Sequence, residues 1–325
     1  MKIFLTGGTG NIGQYVTLAL LKAGHELVMY SRTPERIPQI GQLKNVTMVK
    51  GNLLDMDILG GAVNGCDAVI HIALGYGLTP LEMLMHDTRP TMCLLEKAEQ
   101  AGVKNFVYTS STAAIGNLKD GTDEQSLCEP DTLYGATKAA SEKFLLGFRQ
   151  YYNAQAVRGR KVSMRRNIIR PGYTFSNPAF EGGASQSDKR FRDIARSALK
   201  GEDIFVSENQ CDQFISAAQI AEVYTKLVES DFNMEIFLAL GETLISWAEI
   251  ARWAVALAPG SKSRILPPEG DKPQKPVHIN VDKIKRVFGL SFDATEALKE
   301  HVKWNVEREQ KILSGEPVHD VYHVW

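Results

Sequence analysis

A tyrosine and a lysine four residues apart, Tyr134 and Lys138, are the residues of this sequence best suited to proton chemistry. On a helix that spacing puts both side chains on one face. A phenol has a reference pKa of about 10, so it trades a proton with a carbonyl or alcohol oxygen near neutral pH only when its anion is favoured. An ammonium one helical turn away favours that anion. A hydroxyl could then orient the substrate oxygen, and the apolar run 103–109 leads directly into Ser110 and Ser111. Tyr-x-x-x-Lys alone is also a common chance pair on a solvated helix. Its meaning depends on what the chain builds beside it.

The opening residues supply a nucleotide crevice. Residues 2–6 read as a buried strand, Gly7, Gly8, Gly10 and Gly13 break it, and residues 11–22 run as a helix with apolar positions at Ile12, Val16, Leu20 and Leu21. Strand, glycine turn and helix start form a cradle for a pyrophosphate, because the backbone can approach the anion and free N–H groups face it. Strands are expected at 2–6, 27–31, 46–50, 67–72 and 103–109, and helices at 11–23, 56–64, 80–101 and 132–152. Their alternation predicts an α/β protein with a Rossmann-type, doubly wound parallel sheet.

Beyond residue 155 the texture changes. Arg158-Gly159-Arg160-Lys161 reads as a basic loop, 166–171 as a strand stopped by proline, and 172–187 as a mobile Gly/Ser/Asn/Pro-rich loop. Helices follow at 217–229, 247–257 and 294–313. The expected division is a dinucleotide-binding domain over 1–171, with about 203–240 interleaved, and a smaller, mostly helical substrate lobe over 172–325.

Bulk properties narrow the function classes. Across 325 residues the formal net charge is −1, with 44% hydrophobic and 23% charged residues. That balance argues against a nucleic-acid binder or a polybasic membrane surface. Cys66, Cys93, Cys128 and Cys211 are widely spaced and read as reduced, mostly buried thiols, with no metal site. The chain opens directly into a strand and has no bilayer-length apolar run, so a cytoplasmic protein without a signal peptide is expected.

Taken together, the motifs resemble those of the extended short-chain dehydrogenases/reductases, the NAD-dependent epimerase/dehydratase family, over nearly the whole chain. Thr6-Gly7-Gly8-Thr9-Gly10-Asn11-Ile12-Gly13 is similar to the family's glycine motif. Gly51-Asn52-Leu53-Leu54-Asp55 resembles its adenine-contacting segment, with Asn52 in place of an aspartate. Val69-Ile70-His71-Ile72-Ala73-Leu74 resembles the strand beneath the nicotinamide ribose, and Tyr108 to Gly116 the serine strand. The resemblance implies Ser111, Tyr134 and Lys138 as catalytic residues. It also implies a cofactor held by Gly7, Thr9, Gly10, Asn11, Ile12, Gly13, Ser31, Asn52, Leu53, Ile72, Ala73, Leu74, Thr109, Tyr134, Lys138 and Pro171. Helices 80–101 and 132–152 resemble a pair that builds a dimer contact in relatives, so a homodimer is expected.

The departures from the family pattern carry more of the function. NAD-preferring relatives end the second strand in a carboxylate. Here it ends Tyr30-Ser31-Arg32, with Arg36 further on and no acid between Glu26 and Glu35. Arginine can fork onto a phosphate, so NADP(H) is the expected cofactor, with NAD as the alternative. Asp87 and Pro90 lie where relatives carry Asn-Val-x-Gly-Thr; Pro90 is expected to kink its helix. Around Gln210-Cys211-Asp212-Gln213 sugar-nucleotide epimerases tend to carry a diphosphate-binding arginine, whereas an acid there repels a diphosphate. Lys189, Arg190 and Arg192 could replace it or form a solvated face.

His71 reads as a packed strand residue. His319 and His323 sit in an apolar tail that could dock on the body or on a partner. The reading that follows is an oxidoreductase acting on a small carbonyl or alcohol. A nucleotide-sugar epimerase or dehydratase with retained NAD, and a non-catalytic dinucleotide sensor, are the alternatives.

Overall fold

The computed structural model describes residues 1–151, 160–185, 188–272 and 275–318. The tail with His319 and His323, and residues Arg158 and Gly159, lie outside the described residues. Seven strands form the centre: β1 (Lys2–Thr6), β2 (Glu26–Ser31), β3 (Val46–Lys50), β4 (Ala68–His71), β5 (Asn105–Thr109), β6 (Arg165–Pro171) and β7 (Ile236–Ala239). Their order is β7-β6-β5-β4-β1-β2-β3, every neighbouring pair is parallel, and the winding reverses between β1 and β4. A crevice therefore opens at the carboxyl ends of the strands on either side of that reversal.

The longer helices are α1 (Asn11–Lys22), α2 (Met56–Val63), α3 (Arg89–Gln100), α4 (Leu133–Gly147), α5 (Arg190–Lys200), α6 (Ala217–Glu229), α7 (Trp247–Leu257), α8 (Asp282–Phe288) and α9 (Thr295–Leu313). Side-chain alternation sorts them onto the two faces of the sheet. Ile3, Leu5, Ile70, Val107 and Ile169 pack with Val16 and Leu20 of α1 and Ile220 and Tyr224 of α6. Phe4, Val69, Phe106 and Ile168 point the other way, onto Leu59 of α2, Leu94 of α3 and Leu145 of α4. Because β4 and β5 are buried at every position, they read in the sequence as unbroken apolar runs.

A second core joins α5, α7 and α9 through Phe191, Phe214, Trp247, Ile250, Leu298 and Val302. The chain crosses between the two cores more than once. The strand β7 and helix α6 belong to the large sheet, and Ile284 of α8 packs with them. No described helix is long and apolar enough to cross a membrane.

Several boundaries differ from the sequence expectation. Residues 80–101 form a short helix (Pro80–Met83), a π turn (Leu84–Thr88) and α3, instead of one helix. Pro90 has no N–H for the ladder, and just ahead of it the Arg89 N–H reaches back five residues to the Leu84 carbonyl. The helix expected over 132–152 stops at Gly147, and Gln150–Tyr151 pairs antiparallel with Arg160–Lys161, so part of the basic loop is strand. Of the four free cysteines only Cys66 is buried; the other three are half-buried.

His71 of β4 and His301 of α9 are 1% and 2% exposed, and His301 bonds Asn177 at 2.7 Å; burial holds both pKa values down to about 3, helped for His71 by the Lys138 charge. In the unfolded chain each returns to about 6.5, so between those values the unfolded state binds more protons. Stability should therefore fall as pH drops below about 6.5, by up to about 1.4 kcal/mol per pH unit for each histidine. Urea midpoints measured at about pH 7 and about pH 5 check this, and equal midpoints would contradict it.

Candidate active site

The glycine turn packs against the end of β4. Gly7 has φ +73°, and a Cβ there would lie 2.6 Å from the Ala73 nitrogen, so only glycine lets the turn touch Ile72-Ala73-Leu74. Gly10 donates to the Gly7 carbonyl at 2.9 Å and caps α1 without a side-chain bond. Thr9 precedes it, and the first turn (Asn11, Ile12, Gly13) carries no acid. The N–H groups at the start of α1 thus have no intrahelical partner and no competing carboxylate. A close glycine turn with aligned backbone donors fits a pyrophosphate.

The segment after β6 is tied down instead of loose, which corrects the expectation for 172–185. Thr174–Phe175 pairs with Ile215–Ser216, and Gln14 accepts from the Ala179 and Phe180 N–H groups at 3.1 and 3.2 Å. Gln14 also donates to the Ala184 carbonyl at 3.0 Å, and Ser176 donates to the Asn11 side chain. Residues 186 and 187 are outside the described range.

At the other end of the crevice, Ser31 terminates β2 and its Oγ accepts from the Thr33 N–H at 3.3 Å. Arg32 is exposed, and Arg36 is half-buried in the 3₁₀ turn Pro34–Arg36. The nearest acid, Glu35, pairs with Lys50 at 3.2 Å. Beyond β3, Asn52 accepts from the Leu54 N–H through its side chain and from the Tyr30 hydroxyl through its carbonyl, at 3.1 and 3.0 Å. These bonds hold Asn52 and Leu53 beside the end of β2.

Of the serine strand, the buried Thr109 shares its hydroxyl with Tyr224 of α6 at 2.6 Å. Ser110 is buried, with no partner for its hydroxyl among the described residues. Ser111 is half-buried and its Oγ accepts from the Ala113 N–H at 3.1 Å, which leaves its proton for a ligand. The first turn of α4 is capped by Thr132, which accepts from the Gly135 N–H at 3.0 Å. A Cβ at Gly135 would lie 2.2 Å from the Ala113 carbonyl, so Tyr134 starts its helix against the turn that begins at Ser111. Lys138 sits one turn on, its Nζ 5.8 Å from the centre of the half-buried Tyr134 ring and 5.2 Å from that of Tyr108.

The Lys138 ammonium is enclosed, and Asp87 of the π turn meets it at 3.5 Å; the two side chains are 3% and 1% exposed. Burial alone would push the lysine down, but Tyr108, Asp87 and Tyr134 facing it hold it up, so it stays charged. Asp87 is also the end of a hydrogen-bond chain. The Ala73 N–H donates to Thr6 Oγ1 (3.3 Å), Thr6 meets His71 Nδ1 (2.6 Å), His71 Nε2 meets Thr91 (3.0 Å), and Thr91 donates to the Asp87 carbonyl (2.8 Å). Since the Thr91 proton goes to Asp87, neutral His71 carries its proton on Nε2.

A second buried pair was missed in the sequence. Arg170, just before Pro171, forks onto Glu142 at 2.8 and 2.7 Å, with side chains 2% and 1% exposed. Tyr134, Lys138 and Glu142 follow at four-residue steps on one face of α4, and that spacing was the available signal. Arg170 thereby clamps the tyrosine helix to β6.

Past Thr112 and Gly172 a cleft of about 280 Å³ opens toward the second core, with Asp212 on its wall. The Asp212 carboxylate accepts from Trp247 Nε1 at 2.9 Å. Lys189 is exposed, but Arg190 lies 3.8 Å over the Trp247 ring and pairs with Asp188. Arg190 is therefore packed and paired, with its side chain 39% exposed.

The seven-strand parallel sheet, its flanking helices and the glycine turn after β1 define a Rossmann-type protein. The model of the NAD dependent epimerase/dehydratase family matches residues 3–165, and the chain belongs to that family. It is 30% identical over 158 residues to a 3 beta-hydroxysteroid dehydrogenase/Delta 5-->4-isomerase of Mycobacterium tuberculosis, covering 45% of this chain and 42% of that protein. It is 30% identical over 160 residues to a UDP-glucose 4-epimerase of Haemophilus influenzae, covering 45% and 47%. The matched stretch spans less than half the length of either relative. A UDP-glucuronic acid 4-epimerase of Bacillus cereus, solved in complex with NAD, shares the fold with a TM-score of 0.77 at 18% identity, over 96% of this chain and 99% of that one.

The Asp87–Lys138 pair makes a direct prediction. Asp87→Ala strands a buried ammonium and should cost about 3–5 kcal/mol of stability, most of which returns when Lys138→Met is added. Urea denaturation of the four proteins in the cycle checks this. Losses that simply add would show that the two groups are not coupled.

Proposed function

We propose that the protein is an NADP(H)-dependent oxidoreductase acting on a carbonyl or carbinol carbon. The observation that supports this reading is the charged Lys138 lying 5.8 Å from the Tyr134 ring, on a helix whose first turn packs against the turn that Ser111 begins. The nicotinamide, when bound, would accept or supply the hydride. Ser111 donates a hydrogen bond to the substrate oxygen. Tyr134 gives a proton to that oxygen, or takes one from it, through its phenolic oxygen. Lys138 favours the phenolate electrostatically and offers its ammonium to the ribose, while Asp87 and Arg170 act as positioning residues for the helix. Gly7 to Gly13 hold the pyrophosphate, Asn52 and Leu53 the adenine side, and Ile72 to Leu74 and Pro171 enclose the nicotinamide side. The helical lobe over 172–325 takes the substrate.

Arg32 and Arg36, beside a strand end without a carboxylate, support NADP(H) over NAD. Retained NAD in an epimerase or dehydratase is the second reading, favoured by the Haemophilus influenzae relative and by the solved NAD complex. The test is turnover with a panel of aldehydes and ketones. Tyr134→Phe should lower it at least about 100-fold while dinucleotide affinity stays within about twofold. Wild-type Kd for NADP⁺ should be at least about tenfold below that for NAD⁺, with Arg36→Ala erasing the difference. Full activity in Tyr134→Phe overturns the proton-transfer role, and stoichiometric NAD released on denaturation favours the second reading.

We also assign a homodimer contact to the apolar residues exposed beside α4. Leu81, Leu133 and Phe144 are 67%, 40% and 58% exposed. Sedimentation of wild type as a dimer and of Phe144→Glu as a monomer is the expected result; a monomeric wild type rejects the contact.

A further inference from the structure

The cleft beyond Thr112 and Gly172 has one wall of Leu118, Leu240, Val277 and Ile279. Its polar groups are mostly spent on the protein itself. Gln213 donates to the Gly241 and Ile279 carbonyls at 2.9 and 3.1 Å and accepts from the Ile279 N–H at 2.6 Å. The Tyr173 hydroxyl donates to Asp188 at 2.5 Å, and the Cys211 thiol meets the Glu208 carbonyl at 3.5 Å. Thr112 and the second oxygen of Asp212 are what a ligand would find. No lysine or arginine is among the described residues lining the cleft.

Arg190, which pairs with the Asp188 that accepts from the cleft's Tyr173, is already committed. It forks onto Asp188 at 2.9 and 2.6 Å and stacks on Trp247. Asp188, Arg190 and Asp212 together sum to one negative charge beside the cleft. The indole N–H pins the Asp212 carboxylate, so it cannot swing away from an incoming anion without orphaning Trp247 in the core.

We infer that Asp212 selects the substrate, admitting a neutral carbonyl compound whose hydroxyl or amino group donates to its free oxygen and barring compounds that carry a phosphate. The inference rests on the hydride-transfer reading above. A half-buried acceptor whose position is fixed discriminates in both directions, because a donor satisfies it while a second anion is repelled.

The test uses the full chain saturated with NADP⁺, with UDP-glucose as the probe, followed by calorimetry for wild type, Asp212→Asn and Asp212→Arg. Wild type should show no saturable binding up to about 1 mM, and Asp212→Arg should bind with a Kd at least about tenfold below that limit. If Asp212→Arg does not melt cooperatively, Asp212→Asn carries the comparison. It keeps an acceptor for Trp247, and a gain of about tenfold over wild type is expected there too.

Wild-type binding with a Kd below about 100 μM overturns the inference, as does no gain in either folded variant. A phosphorylated compound emerging as the best substrate in a carbonyl panel overturns it as well. The dinucleotide titration run beforehand separates the two levels. Failure to bind NADP⁺ and NAD⁺ sinks the hydride-transfer reading, whereas binding of dinucleotide followed by UDP-glucose sinks only the role of Asp212.

Discussion

Two opposite charges buried on one face of a single helix are the constraint on which this structure depends. Lys138 and Glu142 cannot be left uncompensated in the core, so each draws a partner from another element: Asp87 from the π turn and Arg170 from the end of β6. Those partners do more than neutralise. Arg170 fixes α4 against the strand that ends at Pro171, and Asp87 fixes the ammonium one turn below Tyr134. A buried ion pair is weak evidence for stability, because hydrophobic side chains of similar volume often do as well. Here the pairs set register, holding the helix that carries Tyr134 and Lys138 against β6 and the π turn.

The chain of hydrogen bonds from Ala73 through Thr6, His71 and Thr91 to Asp87 extends this order across the winding reversal. It joins the end of β4, the end of β1 and the helix behind Lys138. Each hydroxyl in it both accepts and donates, which leaves one arrangement of protons for a neutral imidazole. His71 is thus a packed strand residue, as its apolar neighbours in sequence implied, and it carries orientation along with packing.

Most of the parallel sheet could be read from the sequence because central parallel strands are apolar on both faces and alternate with helices at a regular spacing. The glycine turn was readable because local geometry there admits only glycine at position 7. What escaped the sequence depends on partners far along the chain. Arg170 sits 28 residues from Glu142, and Gln14 meets Ala179 from 165 residues away. The π turn escaped because a proline announces a disturbance without saying whether the helix will bend, break or widen. The bond between Thr109 and Tyr224 escaped too, because its partner lies 115 residues along the chain.

Gln14 occupies an unusual mechanical position. One amide spans the start of α1 and the segment from Ala179 to Ala184, accepting two backbone N–H groups and donating to carbonyls on both sides. The helix start that would receive an anion and the segment from Ala179 to Ala184 are consequently fastened to the same side chain. Displacing either one costs hydrogen bonds to the other, so a single amide ties the two together.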